Sequence, residues 1–127
     1  MALYAQITEI VAPSQAVSGS RVDITVRIKN LYSATISLMV GGALEYGVSP
    51  WPDITYPQSG ADVGAGATYS FHGYFYMPNK AVTLHGYSYW YGGDGSWHFD
   101  DEKTKGVSLA ALTPLISEFR ITNYIKV

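Results

Sequence analysis

The sequence predicts an all-β fold, a sandwich of about seven antiparallel strands. Short stretches of alternating apolar and polar residues recur at roughly ten-residue spacing, and Gly- and Pro-rich segments separate them. No window of about 11 residues keeps the helical period. The 127 residues match one domain. We expect that domain at residues 1–112, with a C-terminal strand or tail at 113–127 that pairs with its own or a neighbouring sheet.

The first strands flank a turn. Residues 3–11 are predicted as the opening strand, and Pro and Gly mark 12–20 as a turn. Residues 21–29 alternate without a break between apolar and polar side chains, so one face of this strand is expected in the core and the other in water.

The middle of the chain is predicted as a hairpin followed by a long loop. Residues 35–40 alternate, and Gly41 and Gly42 offer a two-residue turn into 43–48. Pro and Gly then break up residues 49–66 too often for a regular element. We expect three apolar side chains to anchor this loop. They are Trp51, Ile54 and Tyr56.

The last strands surround a second glycine-rich reversal. Residues 67–76 and 82–91 are predicted strands, and 92–96 is a tight turn that requires glycine. The returning strand begins at 97–100 and resumes at 106–112.

Several short stretches resemble bacterial and phage immunoglobulin-like modules, including the adhesion-related CARDB group. These stretches are Ile10-Val-Ala-Pro-Ser14, Val17-Ser-Gly-Ser20, Ile28-Lys-Asn30, Phe75-Tyr-Met-Pro78, Val82-Thr-Leu-His-Gly-Tyr87 and Trp97-His-Phe-Asp-Asp101. The resemblance implies an immunoglobulin-like β-sandwich that serves as an adhesive or structural module. It carries over no catalytic residues.

Charge and composition argue against several classes of partner. The net charge of -2, without runs of like charge, offers no field to attract nucleic acid or an anionic membrane. No stretch reaches the roughly 18 apolar residues of a membrane span, and the first 15 residues lack the pattern of a secretion signal. The absence of cysteine excludes disulfides and thiolate chemistry. We expect no cofactor.

Aromatic residues supply the candidate binding site. The chain has 11 Tyr, and tyrosine tolerates water while offering contact area. Alternation places Tyr87, Tyr89 and Tyr91 on one face of a strand, where they can anchor a protein interface, stack on sugar rings or merely stabilise a hairpin. The predicted binding residues are Tyr87, Tyr89, Trp90, Tyr91, Trp97, Tyr74 and Tyr76.

The sequence supports metal and catalytic sites less well than it supports an aromatic binding site. Asp100, Asp101 and Glu102, with Asp94 across the turn, offer oxygen ligands for Ca²⁺. Their spacing matches no EF-hand, and Lys103 and Lys105 lie close enough to neutralise them, so a solvated turn is expected. The three histidines lack metal-binding spacing and are expected to be ordinary strand or surface residues. No nucleophile elbow, P-loop or dinucleotide fingerprint occurs, which favours a non-enzymatic role.

The function predicted from these features is that of a virion structural protein, a capsid-decorating or tail-associated module located in the virion. It would contact other structural proteins and its own copies. The absence of a secretion signal at Met1 favours this prediction over the alternative, a secreted carbohydrate-binding or cell-adhesion module at the cell surface. The tail is expected to contribute a strand, because Ile116-Ser-Glu-Phe119 echoes Ile7-Thr-Glu-Ile10.

Overall fold

A computed structural model describes residues 2–111, and all of their regular secondary structure is β-strand. The strands are β1 (Ala5–Val11), β2 (Gln15–Val17), β3 (Arg21–Asn30), β4 (Ile36–Glu45), β5 (Gly60–Val63), β6 (Thr68–Tyr76), β7 (Val82–Tyr91) and β8 (Trp97–Ala110). None of these residues forms a helix that could cross a membrane. The predicted C-terminal strand or tail at 113–127 lies outside the described residues.

The strands form two sheets. One has the order β1-β3-β6 and the other the order β2-β8-β7-β4-β5. The all-β prediction is confirmed, but there are eight strands instead of about seven, and β2 runs parallel to β8. The parallel pair arises after Pro13, which lacks the N–H needed to continue pairing with β3. The chain then crosses to the edge of the other sheet.

The core lies between the two sheets and follows the predicted alternation. Every second residue of β3 is buried, from Val22 to Asn30, and β7 begins and ends where the sequence predicted. The largest fully buried apolar side chains come from both sheets. They are Phe71, Ile28, Leu38, Leu84, Val26 and Val107.

The predicted turn at Gly41 and Gly42 is wrong, because both residues lie inside the continuous strand β4. These glycines allow close packing instead of a reversal. A Cβ on Gly42 would lie 2.9 Å from the carbonyl oxygen of His85 and 3.0 Å from the hydroxyl of Tyr56.

The predicted loop at 49–66 contains β5 and a segment that joins the two sheets. We call residues 50–59 the strap. Ile54 N–H donates to Gly42 O (3.0 Å) in the five-stranded sheet, and Thr55 N–H donates to Tyr74 O (3.1 Å) in the three-stranded sheet. All three predicted anchors contact the rest of the domain: Ile54 is buried, Tyr56 packs against the core, and the partly exposed Trp51 stacks on the ring of His85.

The returning strand β8 is continuous, so its predicted interruption between 100 and 106 is wrong. A bulge explains the misleading pattern. Tyr89 pairs with Phe99 and Ser88 with Asp101, which leaves Asp100 as the extra residue. The alternation therefore changes phase within the strand.

Candidate functional site

Six aromatic side chains project from the outer surface of the five-stranded sheet. Successive residues of a strand point to opposite faces, so the odd-numbered residues 87–91 of β7 share the outer surface with residues 97 and 99 of β8. The strap adds one indole beside them. We call this surface the aromatic face. Its residues are Trp51, Tyr87, Tyr89, Tyr91, Trp97 and Phe99.

The rings of the aromatic face pack edge to face. The ring centroid of Phe99 lies 6.1 Å from that of Tyr87 and 5.8 Å from that of Tyr89, and the centroids of Tyr91 and Trp97 are 5.2 Å apart. Phe99 is nevertheless 57% exposed, Tyr91 45% and Trp97 41%. The face is thus a fixed set of apolar rings open to solvent.

The predicted binding residues do not form a single surface. Tyr87, Tyr89, Tyr91 and Trp97 meet on the aromatic face. Trp90 points the other way, packs against the core and stacks on His98 at 4.4 Å between centroids. The remaining pair, Tyr74 and Tyr76, lies on β6, on the outer surface of the opposite sheet.

A depression of about 440 Å³ adjoins the aromatic face. Tyr87 and Tyr89 line it together with Asp53 and Ser59 of the strap. Gly41 also lines it, and a Cβ there would make ordinary van der Waals contact with the ring of Tyr89 at 3.4 Å. One side therefore offers aromatic rings and the other offers polar groups.

Tyr56 also lines this depression, and its hydroxyl lies beneath the surface. It is buried and has no hydrogen-bond partner among the described residues. Burial raises the pKa of Tyr56 well above its ordinary value of 10.0, because the charged phenolate would be poorly solvated. This hydroxyl consequently stays protonated.

His85 is held between two carboxylates at one end of the aromatic face. Its Nδ1 lies 2.7 Å from Glu102 Oε2 and its Nε2 lies 2.8 Å from Glu45 Oε1. Both nitrogens can donate only in the imidazolium form. Desolvation lowers the pKa of His85, but the hydrogen bonds to both glutamates raise it more, so the net pKa stands above the ordinary 6.5.

Trp51 covers the imidazole ring of His85. Its indole stacks on the His85 ring with centroids 4.5 Å apart and an interplanar angle of 24°. On the other side, Tyr87 lies 6.3 Å away at the same angle. The charged cluster thereby ties β4, β7, β8 and the strap together.

The predicted solvated turn at Asp100 and Asp101 is wrong, because both carboxylates bind backbone N–H groups of β1 or of the two residues before it. Asp100 accepts hydrogen bonds from the N–H groups of Leu3, Tyr4 and Ala5 at 2.6 to 2.8 Å. Asp101 accepts one from Ile7 at 2.9 Å. These carboxylates therefore cover the exposed edge of the three-stranded sheet.

The histidines are separate from one another. His72 contacts Thr25, and His98 contacts Asp94, where the hydrogen bonds from His98 and from the Ser96 N–H hold the Asp94 pKa below its ordinary value. Residues 2–111 contain no group of three or more His, Cys, Asp or Glu arranged to hold a metal ion.

The predicted site omitted three residues that the structure places on the aromatic face or under it. Phe99 follows Trp97 at strand spacing, so alternation alone could have added it. Trp51 was predicted only as a loop anchor. His85 gave no local signal, because Glu45 lies 40 residues and Glu102 17 residues away in the sequence.

The sequence matches no protein-family model and no curated protein. Solved structures do share its fold. The CARDB domain of a Pyrococcus furiosus protein, solved in complex with di-metal ions, has a TM-score of 0.60 at 13% identity, over 84% of this chain and 90% of that chain. The putative ApaA protein of Bordetella pertussis has a TM-score of 0.55 at 14% identity, over 82% of this chain and 95% of that chain.

A third similar structure belongs to a larger protein. The alkylpurine DNA glycosylase AlkC of Pseudomonas fluorescens, bound to DNA containing an abasic site analog, has a TM-score of 0.61 at 15% identity. The match covers 85% of this chain but 31% of the glycosylase. At identities this low the likeness concerns the fold alone. The chain is an all-β, two-sheet domain similar in fold to a CARDB domain.

Proposed function

We propose that the protein is a non-enzymatic contact module that binds protein, including its own copies, through the aromatic face. The observation that carries the proposal is the exposure of fixed aromatic rings, 57% for Phe99 and 45% for Tyr91. The centres of protein interfaces are enriched in Tyr, Trp and Phe. Because the rings already brace one another, a partner that covers them orders few additional side chains.

The titratable groups of the face fit a structural role better than a catalytic one. A general base needs a lone pair within reach of substrate. Both ring nitrogens of His85 are instead engaged by Glu45 and Glu102, and the indole of Trp51 covers the ring.

The strand order supports assigning this two-sheet fold more specifically to the immunoglobulin-like sandwiches. In that fold, strands A, B and E share one sheet, and strands C, F and G share the other. Here β1, β3 and β6 take the A, B and E positions, while β4, β7 and β8 take the C, F and G positions. The short β2 then continues the first strand, and β5 extends the second sheet beyond β4.

A virion structural protein, located in the virion and in contact with other structural proteins, is the biological setting that we propose for this module. A secreted carbohydrate-binding or cell-adhesion module is the alternative. The depression beside Tyr87 and Tyr89 favours the alternative, because Asp53 and Ser59 can hydrogen-bond sugar hydroxyls while a tyrosine ring stacks on the sugar.

Sedimentation velocity over a range of concentrations, paired with a glycan array, tests the proposal. We expect the wild-type protein to self-associate, Phe99→Ala to weaken this association, and the array to show no binding. Val48→Ala is the control, because Val48 is 41% exposed but lines a separate hollow with Pro78 and Lys80 that no residue of the aromatic face borders. A protein that stays monomeric at every concentration, or glycan binding that Tyr89→Ala abolishes, would contradict the proposal.

A further inference from the structure

The aromatic face is acidic. Four carboxylates lie on or beside it. The exposed lysines of β8, Lys103 and Lys105, pair in register with Gly86 and the buried Leu84, so they belong to the inner side of this sheet. Glu45 and Glu102 flank His85, Asp62 bonds to the outward Ser37, and Asp53 lines the depression. Even with His85 protonated, carboxylates outnumber cations on this side of the molecule.

The opposite surface has the reverse bias. We call the outer surface of the three-stranded sheet the back face. Its outward residues on β3 include Arg21, Arg27 and Lys29. Two carboxylates partly neutralise them, since Arg21 pairs with Asp23 at 2.9 Å and Arg27 pairs with Glu9. One positive charge remains in excess on the back face.

Aromatic rings and a hollow accompany this charge. Tyr76 is 61% exposed, and the guanidinium carbon of Arg21 lies 3.9 Å from the ring centroid of Tyr74. A depression of about 350 Å³ lies beside them, lined in part by Pro13, Arg21, His72 and Tyr74. The back face is therefore concave and basic, whereas the aromatic face presents exposed rings among carboxylates.

We propose that the aromatic face of one copy docks on the back face of a second copy. This inference rests on the proposed protein-binding function and names its partner. Carboxylates of one copy would meet the cations of the next, and arginine and lysine stack favourably on exposed tyrosine and tryptophan rings. Two aromatic faces would instead bring like charges together, which disfavours a symmetric dimer.

Such an interface uses two different surfaces, so each added copy leaves one aromatic face and one back face free. If the rotation that relates neighbouring copies brings the last copy back to the first, the assembly is a closed ring. If it does not, the assembly is an open filament. Tyr74 and Tyr76 then belong to the same interface as Tyr87 and Tyr89, although they lie on opposite sides of one molecule.

A mixing experiment tests this arrangement. The face variant carries Tyr91→Ala and Phe99→Ala, and the back variant carries Arg21→Glu and Tyr76→Ala. Each alone should self-associate at least about tenfold more weakly than wild type, because each lacks one partner surface. Their mixture should form a heterodimer with one copy of each variant. In it, the intact back face of the face variant docks on the intact aromatic face of the back variant. Added salt should weaken that heterodimer.

Sedimentation velocity distinguishes the outcomes, and Val48→Ala serves again as the control. A 1:1 heterodimer that neither variant forms alone supports the inference. If the back variant self-associates like wild type and mixing the two variants yields no heterodimer, the interface joins two aromatic faces. That result would overturn the inference but leave the proposed function standing. Absence of any association in the wild-type protein overturns both. Phe99→Ala and Tyr76→Ala as single substitutions give the same comparison if a double variant fails to fold.

Discussion

The indole of Trp51 stacks on the imidazole of His85, with ring centroids 4.5 Å apart. This contact fastens the strap to the outer surface of the five-stranded sheet, where Tyr87 continues the stack. The strap in turn hydrogen-bonds to both sheets through Ile54 and Thr55. The contacts around His85 therefore contribute both to the stability of the fold and to the shape of the aromatic face.

Trp51→Ala should lower the free energy of unfolding by about 0.5 to 1.5 kcal/mol, the range measured for stacked aromatic pairs. Urea denaturation followed by circular dichroism measures this change. Trp97→Ala is the matched control, because both indoles are 41% exposed but Trp97 contacts only the exposed ring of Tyr91 in the ring pairs described. Equal loss of stability in the two variants would contradict a fastening role for Trp51.

The stability should depend on pH through His85. Its pKa is raised on folding above 6.5, so its contribution is fully present below pH 6.5 and is lost as the pH rises through the higher folded value. The titratable groups that contact or adjoin its ring are Glu45 on β4, Glu102 on β8 and Tyr87 on its own strand.

In His85→Gln, the free energy of unfolding should change less than in wild type as the pH rises above 6.5. Urea titrations at several pH values, with an NMR titration of the His85 ring, provide the measurement. A midpoint at or below 6.5 for His85 would show that desolvation outweighs the two glutamates.

Asp100→Asn should destabilise the fold, because the carboxylate accepts three backbone N–H groups, two from Leu3 and Tyr4 just before β1 and one from Ala5 within it. Replacing one oxygen by a donor leaves at least one of these groups without an acceptor, at a cost of about 1 to 3 kcal/mol. Urea denaturation of Asp53→Asn, an exposed carboxylate of the strap, gives the comparison. An Asp100→Asn variant as stable as Asp53→Asn would mean that the edge of β1 needs no carboxylate.

Gly42→Ala should cost about 1 to 3 kcal/mol by overpacking. The new methyl would lie 2.9 Å from a backbone carbonyl and 3.0 Å from the hydroxyl of Tyr56. Gly106→Ala is the control, because a Cβ there meets no atom within 4 Å. Thermal unfolding of both variants compares them directly, and equal melting temperatures would argue against close packing at Gly42.

The strands were predictable where burial alternates without interruption. Residues 21–29 alternate cleanly, and the structure places β3 there. The strand at 82–91 was also predicted correctly, although three consecutive residues of β7, 84–86, are buried. Gly41 and Gly42 misled the prediction, because glycine serves both tight turns and close packing and the sequence does not distinguish them. The bulge at Asp100 misled it in β8, since one extra residue reverses the phase of the alternation.

The aromatic face was predictable only in part. The shared outer side of Tyr87, Tyr89 and Tyr91 follows from a period of two residues, and the same period places Trp90 on the inner side. The cluster of Glu45, His85 and Glu102 depends on the register of three strands, which pairs His85 with Ala43 and Thr104. Local sequence patterns carry no information on that register.

The central claim is that the aromatic face is the contact surface. Backbone and aromatic NMR spectra recorded over a dilution series map the surface that becomes covered as copies associate. We expect concentration-dependent shifts at Tyr87, Tyr89 and Phe99, and none at Tyr46 and Val48, which line a separate hollow. Shifts confined to other surfaces, or spectra that do not change with concentration, would contradict the claim.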